Sequence, residues 1–473
     1  MNRELTPERL RTSEQLLIPD RVLLRDGPQA GYAVVVRGGV FSDVGPVAGV
    51  IERHPQLPRV ELPGKLLMPG LIDAHHHLTQ SFGKALAFGE PSEIFRRIWV
   101  PLERSLDDEL VYLTAKLAAL ESLRGGFTTV CDAGTRAKGS VDAIAAATRE
   151  AGLRCVLGLI CNDIEASDDE RVKILARARE HLGRWQKDSL VHPSLAISIP
   201  EVATDDMLRM VSSMCAEAGA IFQTHVNEHL AAVERSLVAR GMRPLGLLHH
   251  AGALGPQALL AHVTLVTPFE LNVLRDTDTA VSYNPVASQW KGNAVAPATM
   301  MAALGIRFAL GTDATRSDGF RLMDAAEAAQ KLAFALEVGD ASCGGGWMWL
   351  DHATWRGADA VGLGTVAGEI AIGKSADFLI VDIDVPEFQP SFDLSWELVR
   401  LGNRDQIAAV FVAGELKLWR GWPVDWNARA LLDDVSRIAH NAVRNAPIHK
   451  IHAPSVKDRA EVRQQHWMRE LHH

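Results

Sequence analysis

The sequence predicts an α/β protein, a (β/α)8 TIM barrel joined to a small β domain built from both chain ends. Eight short apolar runs rich in β-branched residues recur from residue 67 onward: "LMPGLIDAH", "FTTVCDA", "RCVLGLI", "SLAISI", "AIFQTHV", "LLAHVTL", "AVSYNP" and "RFALGTD". The longer stretches between them, such as "DDELVYLTAKLAALESLRGG" and "TDDMLRMVSSMCAEAG", repeat apolar residues at three- and four-residue spacing and often stop at glycine. Strands alternating with helices pair in parallel, and eight such units close a barrel.

Residues 1–66 carry "EQLLIPDRVLLRD", "YAVVVRGGVFSDVG" and "RVELPGK", strand-like runs separated by turn residues. They read as the first part of the β domain. The barrel occupies residues 67–366. Strand character returns at 367–425 in "ADFLIVDID" and "IAAVFVAGELKLWRG", the second part of that domain. Residues 426–473 form a helical, polar tail ending "EVRQQHWMRELHH", whose histidines read as solvated surface.

The 473 residues are 47% hydrophobic and 23% charged, ordinary for a soluble globular chain. A net charge of −9 argues against a nucleic-acid partner, which favours a basic stripe. No apolar run approaches the roughly 18 residues of a membrane span, and "MNRELTPERLRTSEQ" lacks the apolar core of a signal peptide. Cys131, Cys155, Cys161, Cys215 and Cys343 are scattered, with no C-x-x-C pair. Buried, reduced thiols in a cytoplasmic protein are the expectation.

One motif is misleading. "GEIAIGKS" at 368–375 satisfies the phosphate-loop pattern, but a phosphate loop opens a helix and here a strand-like run follows. A turn into the returning strand is the better reading.

The chemistry gathers at strand ends. Side chains alternate along a strand, so His75 and His77 of "DAHHH" share a side with Asp73 below them, while His76 points away. Strand five supplies His225, with Glu228 just beyond; strand six supplies His262; strand eight supplies Asp313. In a barrel these positions converge at the C-terminal face, where active sites sit. Four strands each ending in a ligand-type residue is not what packing alone would produce.

The motifs "PGLIDAHHH", "HVNE", "LLAH", "GTDA" and "GADAVGLGTVAGEIAIGKSADFLIVD" together resemble the amidohydrolase superfamily, in its cytosine/guanine-deaminase-like and triazine-hydrolase-like branch. The resemblance spans roughly residues 15–425. It implies a distorted barrel with a β-sandwich made from both chain ends. It also implies one divalent metal per chain, zinc or sometimes iron, held by His75, His77, His225 and Asp313. Such a metal activates water. Glu228 would carry a proton to a ring nitrogen, His262 would polarise the attacked carbon's substituent, and Asp313 would assist departure of ammonia or an amine. A homo-oligomer follows from the resemblance rather than from any residue.

The implied substrate is an amino-substituted N-heterocycle such as a purine, pterin, pyrimidine or triazine. Removal of an alkylamine or halide, or opening of a cyclic amide or imide, is the alternative. A metal-free binding scaffold would predict loss of ligand residues, and all are present. By the same resemblance, Gln80 stands where a substrate-amide contact is expected, and Trp99 fits a lid-like segment after strand one or else is a buried anchor. The loops "SIPEVATDD", "SYNPVASQWKGN" and "TDATRSDGFR" depart from the commoner deaminase pattern and bring Glu201, Trp290 and Arg316 toward the pocket. Glu201 leaves a second metal open. Lys291, Arg316 and Arg321 would meet an anionic or keto group on the substrate, or else pair with Asp318, Glu201 or Glu228. His76 reads as a core residue or as one that orients a ligand, and His249 and His250 as structural.

Overall fold

The computed structural model describes residues 5–12, 14–90, 93–339, 342 and 344–470; Cys343, the last three residues and parts of the N-terminal stretch lie outside the described residues. All eight predicted runs are strands: Leu71–His76, Phe127–Asp132, Arg154–Ile160, Val191–Ile197, Ile221–Val226, Ala258–His262, Ala280–Tyr283 and Phe308–Leu310. They lie side by side in chain order, each parallel to the next.

The first and last strands meet through a few bonds rather than a full ladder, which is the distortion the resemblance implied. The Asp313 N–H donates to the His75 carbonyl at 2.9 Å, and the Thr312 N–H donates to the buried Asp73 carboxylate at 2.9 Å. Asp73 therefore stitches the seam beneath the histidines. Strand one enters through Gly70, where a Cβ would lie 2.1 Å from the Thr128 hydroxyl oxygen.

The helices between strands follow their capping signals. Thr204 accepts from the Met207 N–H to start Asp205–Ala218, and Gly219 ends it in the left-handed region at φ 64°. Asp107 accepts from the Leu110 N–H to start Asp108–Arg124.

Strands from both flanks share one nine-stranded sheet. Its seam pairs Arg59–Pro69 antiparallel with Phe378–Asp382, in the register Pro69 to Phe378 and Lys65 to Asp382. Leu17, Val34, Phe41, Phe378 and Phe411 form part of its core. Barrel and sheet are locked by buried Arg154, whose guanidinium donates to both carboxylate oxygens of Asp377 at 2.9 and 3.1 Å. The phosphate-loop look-alike is a turn: Lys374 pairs with Glu369 at 2.9 Å, and the strand Phe378–Asp382 follows.

The tail comprises the helix Ala428–Asn445, a connecting segment and the helix Ser455–Glu470. Among the described residues no helix is long and apolar enough to cross a membrane. Cys131, Cys155, Cys161 and Cys215 are buried and free.

Candidate metal centre and active site

His75 and His77 face the same way at the barrel mouth, edge to face with ring centroids 4.9 Å apart. His76 faces away, its Nε2 3.1 Å from the Ser317 hydroxyl. Burial pushes His76 down to about 3, so it is neutral. From strand five, His225 donates its Nδ1 proton to the Ser198 carbonyl at 2.7 Å. That bond fixes the tautomer and leaves the Nε2 lone pair facing His77 Nε2 at 3.2 Å. Asp313 Oδ1 lies 3.4 Å from His75 Nε2 and 3.3 Å from His77 Nε2.

The ligand-type atoms of His75, His77, His225 and Asp313 all lie within 4.8 Å of one another. His75 Nε2 is buried without a hydrogen-bond partner. An orphaned buried nitrogen needs a reason, and a cation at the point these donors face would supply one. Three imidazoles and a carboxylate suit zinc with a position left open.

Glu228, His262 and Asp313 form a second, overlapping group of the same tightness. The Asn284 side-chain amide donates to His262 Nδ1 at 3.2 Å, which places the imidazole proton on Nε2. That nitrogen points at Glu228 Oε1, 3.9 Å away. Burial brings His262 down to about 4, against the pull of Glu228 and Asp313.

Lys291 bridges the two carboxylates, with Nζ 2.7 Å from Glu228 Oε1 and 2.5 Å from Asp313 Oδ2. Burial works against charge on Glu228 and Asp313, yet the Lys291 ammonium holds both well below the usual carboxylate range.

These positions are set by unusual backbone. His262 and Asp313 adopt φ of 76° and 55°, and Asn227, just before Glu228, adopts 51°. Strand-end residues forced into the left-handed region turn their side chains into the mouth at a conformational cost that packing sustains. Gly311 allows the close approach: a Cβ there would lie 2.3 Å from Asn284 Oδ1 and 3.0 Å from His75 Cβ.

Above the cluster is a cavity of about 100 Å³, lined by His77, Gln80, Trp99, His225, Glu228, Trp290, Lys291 and Asp313 among others. Gln80 donates to Glu103 at 3.4 Å, and Trp290 donates to the Thr315 hydroxyl at 2.7 Å. Two expected contacts fall elsewhere. Glu201 accepts from Arg235 at 3.2 Å and is not among the lining residues. Arg316 is half-exposed beside Asp318, 3.6 Å away. Of the three loop cations, Lys291 therefore pairs with Glu228 and Arg316 with Asp318.

Sequence reasoning did not single out Asn284 or Ser198. Asn284 directly follows strand seven and Ser198 directly follows strand four, so strand-end position was an available signal. The lid residues Glu90, Glu93, Ile94 and Phe95 also line the cavity, and no local pattern marks them.

Residues 66–417 match the sequence signature of the amidohydrolase family. A 5-methylthioadenosine/S-adenosylhomocysteine deaminase of Syntrophobacter fumaroxidans is 27% identical over 436 residues, covering 90% of this chain and 98% of the relative. A 5'-deoxyadenosine deaminase of Methanothermobacter thermautotrophicus is 29% identical across 69% of this chain and 76% of its own length. Among solved structures, an adenosine deaminase from Xanthomonas campestris with bound zinc superposes with a TM-score of 0.82 at 25% identity, covering 91% of this chain and 98% of that one. Atrazine chlorohydrolase TrzN from Arthrobacter aurescens TC1, complexed with zinc, gives 0.79 at 20% identity over 90% of this chain and 100% of its own, a likeness of fold.

Proposed function

The chain belongs to the amidohydrolase family, and from that premise we propose that it is a metal-dependent hydrolytic deaminase of an amino-substituted N-heterocycle. The observation that carries this reading is the convergence of His75, His77, His225 and Asp313 on one point, with Glu228 and His262 directly beside it. The deaminase names of the relatives point the same way. We take the metal to be one zinc per chain, the ion held by the Xanthomonas relative.

When bound, that ion supplies Lewis acidity that makes water nucleophilic near neutral pH. The chain's own groups do the rest. Glu228, held ionised beside Lys291, accepts a proton from the attacking water and delivers it to a ring nitrogen. The new C–O bond forms at the amino-bearing carbon. His262, with its proton on Nε2, donates a hydrogen bond to the developing negative charge there. The second water proton reaches the amino nitrogen through Asp313, the C–N bond breaks, and ammonia leaves a ring that now carries oxygen. Lys291 keeps the Glu228 and Asp313 carboxylates apart and ionised. Gln80, Trp99 and Trp290 hold the ring.

The test is ammonia release by metal-quantified protein across amino-purines, pterins, pyrimidines and triazines. Ammonia from one compound, abolished in Glu228→Gln at unchanged metal content, supports the reading. No ammonia from any compound, with one metal bound, would redirect it to amine or halide removal or to ring opening.

A further inference from the structure

The outer wall of the cavity comes from the segment that follows the first barrel strand. Glu90, Ile94 and Trp99 line it, in a stretch whose regular pieces, among its described residues, are the short turn Lys84–Ala87 and the helical Phe95–Trp99, which runs on into the helix Val100–Arg104. What backs this wall is the chain 350 residues later. After the helix Ala428–Asn445, residues 446–452 run across its outer face.

The contacts are specific. The His449 N–H donates to the Arg97 carbonyl at 3.0 Å, and the Arg97 guanidinium donates to the His449 carbonyl at 3.0 Å. The same guanidinium donates to Glu90 Oε2 at 2.8 Å. Glu90 also accepts the Ile451 N–H at 2.9 Å and the His452 N–H at 3.3 Å, and Lys450 Nζ stands 3.8 Å from it. The Glu90 side chain is fully buried by this arrangement. Beneath it, Val443, Ala446 and Ile448 form an apolar cluster with Leu86, Ala87, Ile94, Ile98, Trp99 and Leu102, and Trp290 joins that cluster. Ile94, Trp99 and Trp290 thus face the cavity on one side and pack with the tail on the other.

This segment lies beyond the family match, which ends at residue 417.

We propose that residues 446–452 are a positioning element of the pocket, a clamp that fixes the wall of Glu90, Ile94 and Trp99 and thereby sets how tightly a ring is held. It acts on binding rather than on bond making, because none of Glu90, Ile94 and Trp99 is among the groups placed to hold a metal, His75, His77, His225, Asp313, Glu228 and His262. The inference rests on reading the cavity as the substrate site. The last helix, Ser455–Glu470, is no part of the clamp: its described side chains are exposed.

The experiment compares the full chain with two truncations and two point variants. Deleting 453–473 should leave kcat and KM unchanged. Deleting 446–473 should raise KM by about tenfold or more with kcat within about twofold, the signature of lost uniform binding. In the full-length chain, Glu90→Gln and Ile448→Ala should raise KM by about three- to tenfold each, with metal content unchanged. Hydrogen–deuterium exchange at residues 84–99, which needs no ligand, should speed up in the 446–473 deletion and not in the 453–473 deletion.

An unchanged KM in the longer deletion and both point variants, or unchanged exchange at 84–99, would overturn the clamp. So would a parallel fall of kcat and metal content, which would mark a general structural role. If the full chain released ammonia from nothing, the deaminase reading would fail while the exchange arm still decided the clamp.

Discussion

The two ends of the cavity are built differently. At the inner end the candidate ligands and His262 sit at or just past the ends of barrel strands, and three of them are oriented by a group on an adjacent strand. His225 is aimed by the Ser198 carbonyl, His262 by the Asn284 amide, and Asp313 by the backbone bond to His75. At the outer end the wall is made of turns and a tail segment, held by Glu90, Arg97 and a handful of apolar side chains. The inner end is a rigid constellation that can run one kind of chemistry. On the reading proposed above, the outer end can change with little cost to that chemistry, and binding selectivity is set there.

The largest effects should come from the inner end. Removing the metal with a chelator should abolish activity, and zinc should restore it; the melting temperature should fall on removal, because an ion that binds the folded state at about a thousandfold excess over its Kd contributes about 4 kcal/mol. His225→Asn should mimic the chelated enzyme, with metal content far below one per chain in elemental analysis. Glu228→Gln separates holding the metal from using it. It should lower kcat by about 10²- to 10⁴-fold while the metal stays bound, and loss of metal in this variant would place Glu228 among the ligands instead.

That inner constellation was legible in the sequence for a physical reason. Alternation along a strand puts His75 and His77 together and His76 apart, and barrel closure brings strands one, five, six and eight to one mouth. Neither inference needs to know what lies in the loops. The loops failed for the complementary reason. Glu201 and Arg316 lie where a pocket contact was expected, but each is drawn to a nearer opposite charge, Arg235 on the helix Leu230–Arg240 and Asp318 at the start of Gly319–Val338. Lys291 had several acids within reach in the sequence, and geometry alone selected Glu228 and Asp313. Of the tail histidines, His440, His449 and His452 have exposed side chains, while the side chains of His466, His472 and His473 lie outside the described residues; His449 and His452 engage the cavity wall through backbone groups, which no residue pattern reveals.

Lys291→Met probes the boundary between the two ends. It leaves two largely buried carboxylates facing each other without their cation. Breaking a buried pair in this way costs about 3–5 kcal/mol, so the melting temperature should drop and kcat should fall by roughly ten- to a hundredfold. The pH profile should also move. Lys291 lowers the Glu228 pKa, so its removal raises it, and the base is protonated sooner as the pH falls. The acid limb of kcat/KM should therefore shift to higher pH. An unmoved limb would mean that Lys291 serves the substrate rather than Glu228.

The smallest effect is expected at Glu201, and it sharpens where the inner end stops. As a ligand for a second metal it would have to reach the His77 and His225 nitrogens, but its Oε1 is taken by Arg235 Nε at 3.2 Å, and Arg235 in turn reaches Glu93 at 2.9 Å. The residue thus backs the outer wall through Arg235 and Glu93 without lining the cavity. Glu201→Gln keeps the shape and weakens one ion pair of the kind worth about 1 kcal/mol or less when partly exposed, so kcat should be unchanged, KM should rise by no more than about fivefold, and metal content should stay at one per chain. A wild-type content of two metals that falls to one in this variant would move Glu201 into the inner constellation and make the catalytic centre binuclear.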